Sequence, residues 1–167
     1  MPDCCKSPLQ RERADLAVCK ECGLKGRAVQ RITPESLLLE DRKARLGPSQ
    51  YYYCASATCG VVYFSNEDDI YFQKTDLRVR VGQKETEDPI LVCYCFGHTR
   101  ASVWEEIENT GASTVEADIK EKVRAGLCAC EIKNPQGSCC LGNVGKAVKE
   151  GFARHGHVVE PGLQKTG

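Results

Sequence analysis

The spacing of apolar residues differs on the two sides of a charged stretch, "QKETEDP" (83–89). Before it, aromatic and β-branched residues flank a cysteine-containing turn in "YYYCASATCGVVYF" (51–64), a pattern that predicts two paired strands. In "DLRVRVG" (76–82), apolar residues alternate with arginines, which predicts another half-buried strand. The first half of the chain is therefore predicted to be rich in β-structure, and the charged stretch marks its boundary.

Three helical stripes follow the boundary. "TRASVWEEIENTG" (99–111) has apolar residues on one face and ends at a glycine. "ASTVEADIKEKVRAG" (112–126) carries apolar residues at i, i+4 and i+8, and its Ser113 and Glu116 predict a capping box at the helix start. "LGNVGKAVKEGF" (141–152) also places its apolar residues on one side. The second half is predicted to be helical.

These patterns predict an α+β chain with two modules. A small β-rich module spans 18–82 and a three-helix module spans 90–154, whereas 1–17 and 155–167 are predicted to be flexible tails. The N-terminus has no apolar core of a signal peptide, and no stretch approaches the roughly 18 apolar residues that span a bilayer. We therefore expect a cytoplasmic protein without membrane insertion.

Charge and cysteine content narrow the class of function. The 23 Lys+Arg residues balance 23 Asp+Glu residues, so the chain lacks the basic footprint of a nucleic-acid binder. It contains 12 cysteines, which in a reducing compartment favour metal ligation over disulfide bonds. No Ser/His/Asp set, phosphate loop or paired-carboxylate motif is present. A substrate pocket and a turnover enzyme are therefore not expected.

Two cysteine pairs predict a zinc site in the β-rich module. Cys19-x2-Cys22 and Cys54-x4-Cys59 are separated by 31 residues, and two such pairs place four thiolates around one tetrahedral ion. Gly23 supplies the flexible residue that the first turn needs. Four protein ligands leave no position for a substrate, so the site is expected to be structural. A mononuclear iron would fit the same sulfurs.

A second group of cysteines has the spacing of an iron–sulfur site. The doublet "CYC" (93–95) can chelate a single iron, which leaves a second iron to a distant pair of thiolates. That pair comes from "AGLCACEIKNPQGSCCLG" (125–142). Cys140 precedes a predicted helix, whose free N–H groups and dipole favour an anionic centre. Cys128 and Cys130 both have suitable spacing for the other ligand.

The motifs "CKEC", "YYYC", "CGVVYF", "LRVRVGQKE", "VCYC" and "NPQGSCC" together resemble the N-terminal domain of the CopZ copper-chaperone family. The resemblance covers residues 19 to about 152, and the C-terminal half resembles bacterioferritin-associated-ferredoxin-like [2Fe–2S] domains. This family carries one zinc and one [2Fe–2S] cluster. The resemblance implies zinc on Cys19, Cys22, Cys54 and Cys59, and a cluster on Cys93, Cys95, Cys130 and Cys140.

The same resemblance implies a role in copper homeostasis. An all-cysteine cluster carries one electron, and reduction of Cu(II) to Cu(I) takes one electron. We therefore expect a one-electron donor to copper or a Cu(I)-binding accessory, working with an electron donor and with a copper-transporting ATPase or copper carrier. The thiolates left over are soft and suit Cu+. They are Cys4, Cys5, Cys128 and Cys139.

Other functions remain as alternatives. The family's chaperone continues into a domain with a Met-x-Cys-x-x-Cys loop, which these 167 residues lack. Direct Cu(I) delivery by that domain is therefore not expected. A general ferredoxin-like module that serves a partner oxidoreductase is the alternative function. A zinc-ribbon module for nucleic acid is disfavoured, because eight thiolates with their metals would give the protein a net negative charge.

Overall fold

The computed structural model describes residues 15–156, and the chain forms two compact units. The first, the sheet unit, contains residues 15–86 and 129–138. The second, the helical unit, contains residues 87–128 and 139–156. Cys4, Cys5 and most of the two predicted tails lie outside the described residues. The α+β class predicted from the sequence is confirmed.

A four-stranded antiparallel sheet organises the sheet unit. Tyr52 pairs with Phe64 and Tyr53 pairs with Tyr63, so the strand pair predicted around the cysteine turn is confirmed. The third strand is buried at every position because it lies between two neighbouring strands and is covered on both faces. In sheet order the strands are β1 (Arg27–Val29), β2 (Tyr51–Tyr53), β3 (Val61–Ser65) and β4 (Ile70–Gln73).

The strand predicted at 76–82 is wrong. Leu77 makes an isolated bridge to Leu38, and the chain then turns into a 3-10 helix at Gly82–Lys84. Leu77 and Val81 are buried while the two arginines between them are exposed. The alternation thus predicted burial correctly. A strand also needs a continuous hydrogen-bonding partner, which this segment does not find.

The helices differ in length between the two units. Those of the sheet unit are short, whereas those of the helical unit have ten residues or more. No helix among the described residues is long and apolar enough to cross a membrane. The helices are α1 (Ile32–Leu37), α2 (Glu40–Lys43), α3 (Arg100–Thr110), α4 (Val115–Arg124), α5 (Cys130–Lys133) and α6 (Leu141–Arg154).

The turn segment 129–138 belongs to the sheet unit, although its neighbours in the chain belong to the helical unit. The Thr33 hydroxyl donates a hydrogen bond to the carbonyl of Glu131 at 2.7 Å. The buried Tyr63 hydroxyl donates to the carbonyl of Pro135 at 2.5 Å. These contacts connect α1 and β3 to the segment. The "NPQG" turn therefore forms part of the packing of the sheet unit.

Residues of the three predicted helical stripes form the interior of the helical unit, but Val123, the last residue of the α4 stripe, is 37% exposed. A hairpin of β5 (Leu91–Cys93) and β6 (His98–Thr99) leads into α3, and α6 packs against α3, α4 and β5. Gly111 ends α3 in the left-handed conformation, with φ of 72°, as its sequence position predicts. The buried residues of this interior are Val103, Ile107, Val115, Ile119, Val144 and Ala147.

The capping box predicted for α4 is wrong. The N-cap is Thr114, one residue later than predicted, and Ser113 lies outside the helix. The Glu106 carboxylate of α3 accepts hydrogen bonds from the Thr114 backbone N–H at 3.0 and 3.1 Å, and another from its hydroxyl. Burial opposes ionisation of Glu106, but the bonds from Thr114 outweigh it and lower the pKa. A neighbouring helix therefore caps α4.

We expect Glu106→Ala to destabilise the helical unit by about 1 kcal/mol, the usual cost of losing a helix cap. The free energy of unfolding is measured by chemical denaturation, with helicity as the signal. Glu108→Ala is the matched control, because Glu108 lies on the same helix and is exposed. Equal unfolding free energies for the two variants would contradict the capping role.

Candidate metal centres

The four cysteines predicted to bind zinc converge in the sheet unit. All their sulfur atoms lie within 4.8 Å of one another. The Cys19 and Cys59 sulfurs are 4.0 Å apart, and those of Cys22 and Cys54 are 3.6 Å apart. A tetrahedron with zinc–sulfur bonds of about 2.3 Å separates its sulfurs by about 3.8 Å, whereas a disulfide needs about 2.05 Å. The donor set and its spacing fit one tetrahedral ion.

Backbone hydrogen bonds hold the two cysteine turns in place. In the first turn, the Gly23 N–H donates to the Cys19 carbonyl at 2.8 Å, and the Cys19 N–H donates to the Leu24 carbonyl at 2.9 Å. Gly23 has a φ of 74°, the left-handed conformation that favours glycine. In the second turn, the Cys54 N–H donates to the Val62 carbonyl at 2.9 Å, so β3 fixes this cysteine.

Backbone N–H groups also point at the sulfurs, a feature that the sequence analysis missed. At three of the four cysteines the donor is the residue two positions further along the chain. The pairs are Leu24 to Cys22, Ser56 to Cys54 and Val61 to Cys59. Such bonds stabilise a thiolate relative to a thiol. The only signal in the sequence is a non-proline residue at each of these positions.

Burial is the largest influence on the thiol pKa of three cysteines of this site, Cys22, Cys54 and Cys59. It raises the pKa of Cys54 to about 12 and also raises the pKa of Cys59. At Cys22 burial acts in the same direction, but the Leu24 N–H and the neighbouring thiols outweigh it and lower the pKa. A metal ion must therefore displace protons from buried thiols, so its affinity increases with pH.

An aromatic stack forms the base of the four-cysteine site. The Phe64 ring lies between Tyr52 and Tyr71, with ring centroids 5.6 and 6.0 Å apart. Cys19, Cys54 and Cys59 belong to the same buried cluster as Phe64. A Cβ atom at Gly26 would lie 2.8 Å from the Phe64 ring, so only glycine fits there. Packing of this kind restricts the rotamers of the sulfur ligands.

The helical unit brings together a second set of cysteines. Cys93 ends β5, and the Gly97 N–H donates to its carbonyl at 3.0 Å to close the turn that carries Cys95. The Cys140 side chain is hydrogen bonded to Cys93 and is the main cause that lowers the Cys93 pKa to about 6. The N–H groups of Phe96 and Cys95 act in the same direction. Cys93 is therefore predisposed to be a thiolate.

The adjacent residues Cys139 and Cys140 have different environments. Cys140 is 2% exposed and is the N-cap of α6, where the helix dipole favours negative charge. Cys139 is exposed. The predicted helix start at Leu141 is confirmed.

Cys128 and Cys130 remain alternatives for the same role. The Cys128 sulfur lies 4.0 Å from the Cys95 sulfur, within the helical unit. Cys130 is buried at the start of α5, in the sheet-unit segment 129–138. Thiolates such as those of Cys95 and Cys128 are the donors that iron–sulfur clusters use.

A small antiparallel sheet with four convergent cysteines on two tight turns defines the class of zinc-binding domains. A family described as a zinc binding domain matches residues 16–78 of the chain, which contain all four cysteines.

The chain is similar to the X-ray structure of the CopZ N-terminal domain from Archaeoglobus fulgidus, with 31% identity and a TM-score of 0.61. The match covers 85% of this chain and 99% of that one, so the chain belongs to the family of that domain. The copper chaperone CopZ of Archaeoglobus fulgidus is 35% identical over 123 residues, which are 73% of this chain. The chain spans 57% of that relative's length.

Proposed function

We propose that this chain is a zinc- and [2Fe–2S]-containing redox protein of copper homeostasis. In this proposal it donates one electron to Cu(II), or holds Cu(I), as an accessory to copper trafficking. The observation that carries the proposal is the second convergent set of cysteines, in the helical unit of a chain similar to a copper chaperone.

The four cysteines of the sheet unit have a structural role in this proposal. Cys19, Cys22, Cys54 and Cys59 hold Zn2+ and connect the first turn of the unit to the β2–β3 turn. Four thiolates complete the coordination of a structural zinc, so no substrate binds there. The aromatic stack below them keeps the turns in place.

Cysteines between β5 and the start of α6 bind the redox group in this proposal. Cys93, Cys95 and Cys140 are three of the proposed ligands, and Cys130 is the fourth, with Cys128 as the alternative. A bound [2Fe–2S] cluster supplies one electron at a time, at about −400 mV in plant-type ferredoxins. The α6 N-terminus and the N–H groups that face Cys93 stabilise the negative charge of the ligands.

Copper is the substrate in this proposal. Cu(II) gains one electron and becomes Cu(I), and the protein loses that electron, so an electron donor must restore the reduced protein. Soft thiolates bind Cu(I) better than Cu(II). Cys128 and the exposed Cys139 are candidate Cu(I) ligands, together with Cys4 and Cys5. A copper-transporting ATPase or a copper carrier is the proposed recipient.

The proposal is tested by anaerobic purification followed by metal and sulfide analysis and by mixing with copper. We expect about one zinc, two iron and two sulfide per chain. When the reduced protein is mixed with Cu(II), its visible spectrum should return to that of the oxidised form while Cu(I) accumulates. A Cu(I)-specific chelating dye measures the product. A reduced spectrum that persists in the presence of Cu(II) would contradict the electron-donor role.

The same preparation distinguishes this function from a general ferredoxin-like module. Copper binding is measured in the parent chain and in a variant with Cys4, Cys5, Cys128 and Cys139 replaced by serine. A role in copper handling predicts that the variant binds less Cu(I). Unchanged copper binding, together with undiminished reduction of a partner oxidoreductase, would favour the general electron carrier.

A further inference from the structure

A buried lysine lies beneath the four-cysteine site of the sheet unit. Lys84, in the 3-10 helix Gly82–Lys84, is 5% exposed. Its Nζ donates to the Ser56 carbonyl at 2.6 Å and to the Cys59 carbonyl at 3.0 Å. Both carbonyls belong to the turn between β2 and β3 that carries Cys54 and Cys59. The ammonium group therefore binds the backbone of the second cysteine turn directly.

The two hydrogen-bond acceptors of the Lys84 ammonium group are carbonyl oxygens, which carry no formal negative charge. In the part of the chain that the structure describes, no carboxylate forms an ion pair with this ammonium group. A buried charge is costly unless an opposite charge accompanies it. Through the Cys59 carbonyl, Lys84 lies next to a site whose four sulfurs carry negative charge when they are deprotonated.

The charge of a bound zinc ion and its four ligands also calls for a nearby positive charge. Four thiolates around Zn2+ leave about two uncompensated negative charges in a mostly buried site. We propose that Lys84 is a positioning residue of the zinc site, which compensates the thiolate charge and orders the second cysteine turn through its two carbonyl bonds. This inference rests on the proposed zinc site. Residues that do not bind the metal but form hydrogen bonds to its ligands change the affinity of the site for the metal.

The test compares Lys84→Met, which removes the charge, with Lys84→Arg, which retains it. Zinc affinity is measured by competition with a chromophoric chelator. We expect Lys84→Met to bind zinc about 10–100-fold more weakly, the usual effect of losing such a partner, and Lys84→Arg to recover most of the affinity. Lys84→Gln is measured alongside, because its polar side chain separates loss of charge from loss of packing.

Lys20→Met is the matched control. Lys20 lies between the two cysteines of the first turn, but its side chain is 60% exposed and pairs with Asp69 at 3.2 Å. We expect little change, because water screens an exposed charge. Cobalt substitution gives a second readout that loss of packing alone would not move. Removing the positive charge at residue 84 should shift the sulfur-to-cobalt charge-transfer band to longer wavelength.

Each outcome has a distinct meaning. Parent-like zinc affinity in Lys84→Met and Lys84→Gln would overturn the inference. Equal weakening in Lys84→Arg and Lys84→Met, with no shift of the cobalt band, would also overturn it, because charge would not be the cause. If the parent chain itself binds no zinc, the proposed zinc site fails rather than the role of Lys84.

Discussion

Replacing Cys54 with serine is expected to release zinc and to lower the thermal unfolding midpoint of the sheet unit by at least about 15 °C. Cys54 is 1% exposed and its sulfur lies 3.6 Å from that of Cys22. Because the site is buried, a water molecule cannot easily replace the lost sulfur as the fourth ligand of the metal. A metal present at about 1,000 times its Kd stabilises a fold by about 4 kcal/mol. In a domain of 60–100 residues, each kcal/mol shifts the midpoint by about 4–8 °C.

Calorimetry and zinc analysis with and without a chelator check this expectation. The chelator should lower the midpoint of the parent chain and should have no further effect on Cys54→Ser. Cys139→Ser is the matched control, because it makes the same substitution at an exposed cysteine of the other unit. A Cys54→Ser protein that retains one zinc per chain and the parent midpoint would show that the four cysteines do not share a metal.

The first cysteine turn of the sheet unit was predictable from the sequence, for a local reason. A two-residue spacing and a following glycine suffice to form the first turn, and Gly23 has the left-handed conformation that this turn requires. The convergence of this turn with the β2–β3 turn follows from two strand pairings. The aromatic runs predicted the β2–β3 pairing, whereas the β1–β2 pairing was not predicted. The cysteine spacing therefore predicted that Cys19, Cys22, Cys54 and Cys59 converge, and zinc on them stays a prediction.

Long-range contacts explain what the sequence analysis missed. The segment 129–138 joins the sheet unit through hydrogen bonds to Thr33 and Tyr63, which lie 98 and 72 residues away from their partners. Lys84 donates to the carbonyl of Cys59, 25 residues earlier in the chain, although it lies in the charged stretch 83–89 that predicts a boundary. Glu106 replaces the predicted cap of α4. None of these partners is visible in a local pattern of polar and apolar positions.

The fourth cluster ligand is ambiguous for a related reason. Cys128 and Cys130 are separated by one residue, yet the boundary between the two units falls immediately after Cys128. Spacing alone does not distinguish them, and the family resemblance points to Cys130. The contact at 4.0 Å between the Cys95 and Cys128 sulfurs makes Cys128 the alternative ligand.

Single replacements, Cys128→Ser and Cys130→Ser, followed by visible absorption spectroscopy, decide between the two cysteines. Loss of the cluster in Cys128→Ser alone would overturn the assignment of Cys130.

Serine at position 140 is expected to abolish most of the visible absorption and bound iron of the anaerobically purified protein, whereas serine at the adjacent position 139 should leave both unchanged. The Cys140 sulfur is buried at the N-terminus of α6 and hydrogen bonded to Cys93. Cys139 is exposed. The two variants have the same composition, so a difference between them reports on position alone.

Absorption spectra, iron analysis and sulfide analysis of the two variants and the parent chain provide the measurement. Helicity and zinc content are recorded for the same samples, because loss of a cluster ligand in the helical unit should leave the zinc of the sheet unit in place. Retention of iron and sulfide in Cys140→Ser, or their loss in Cys139→Ser, would contradict the proposed ligand set. A colourless parent protein without sulfide would remove the cluster and leave the zinc site as the metal centre of the chain.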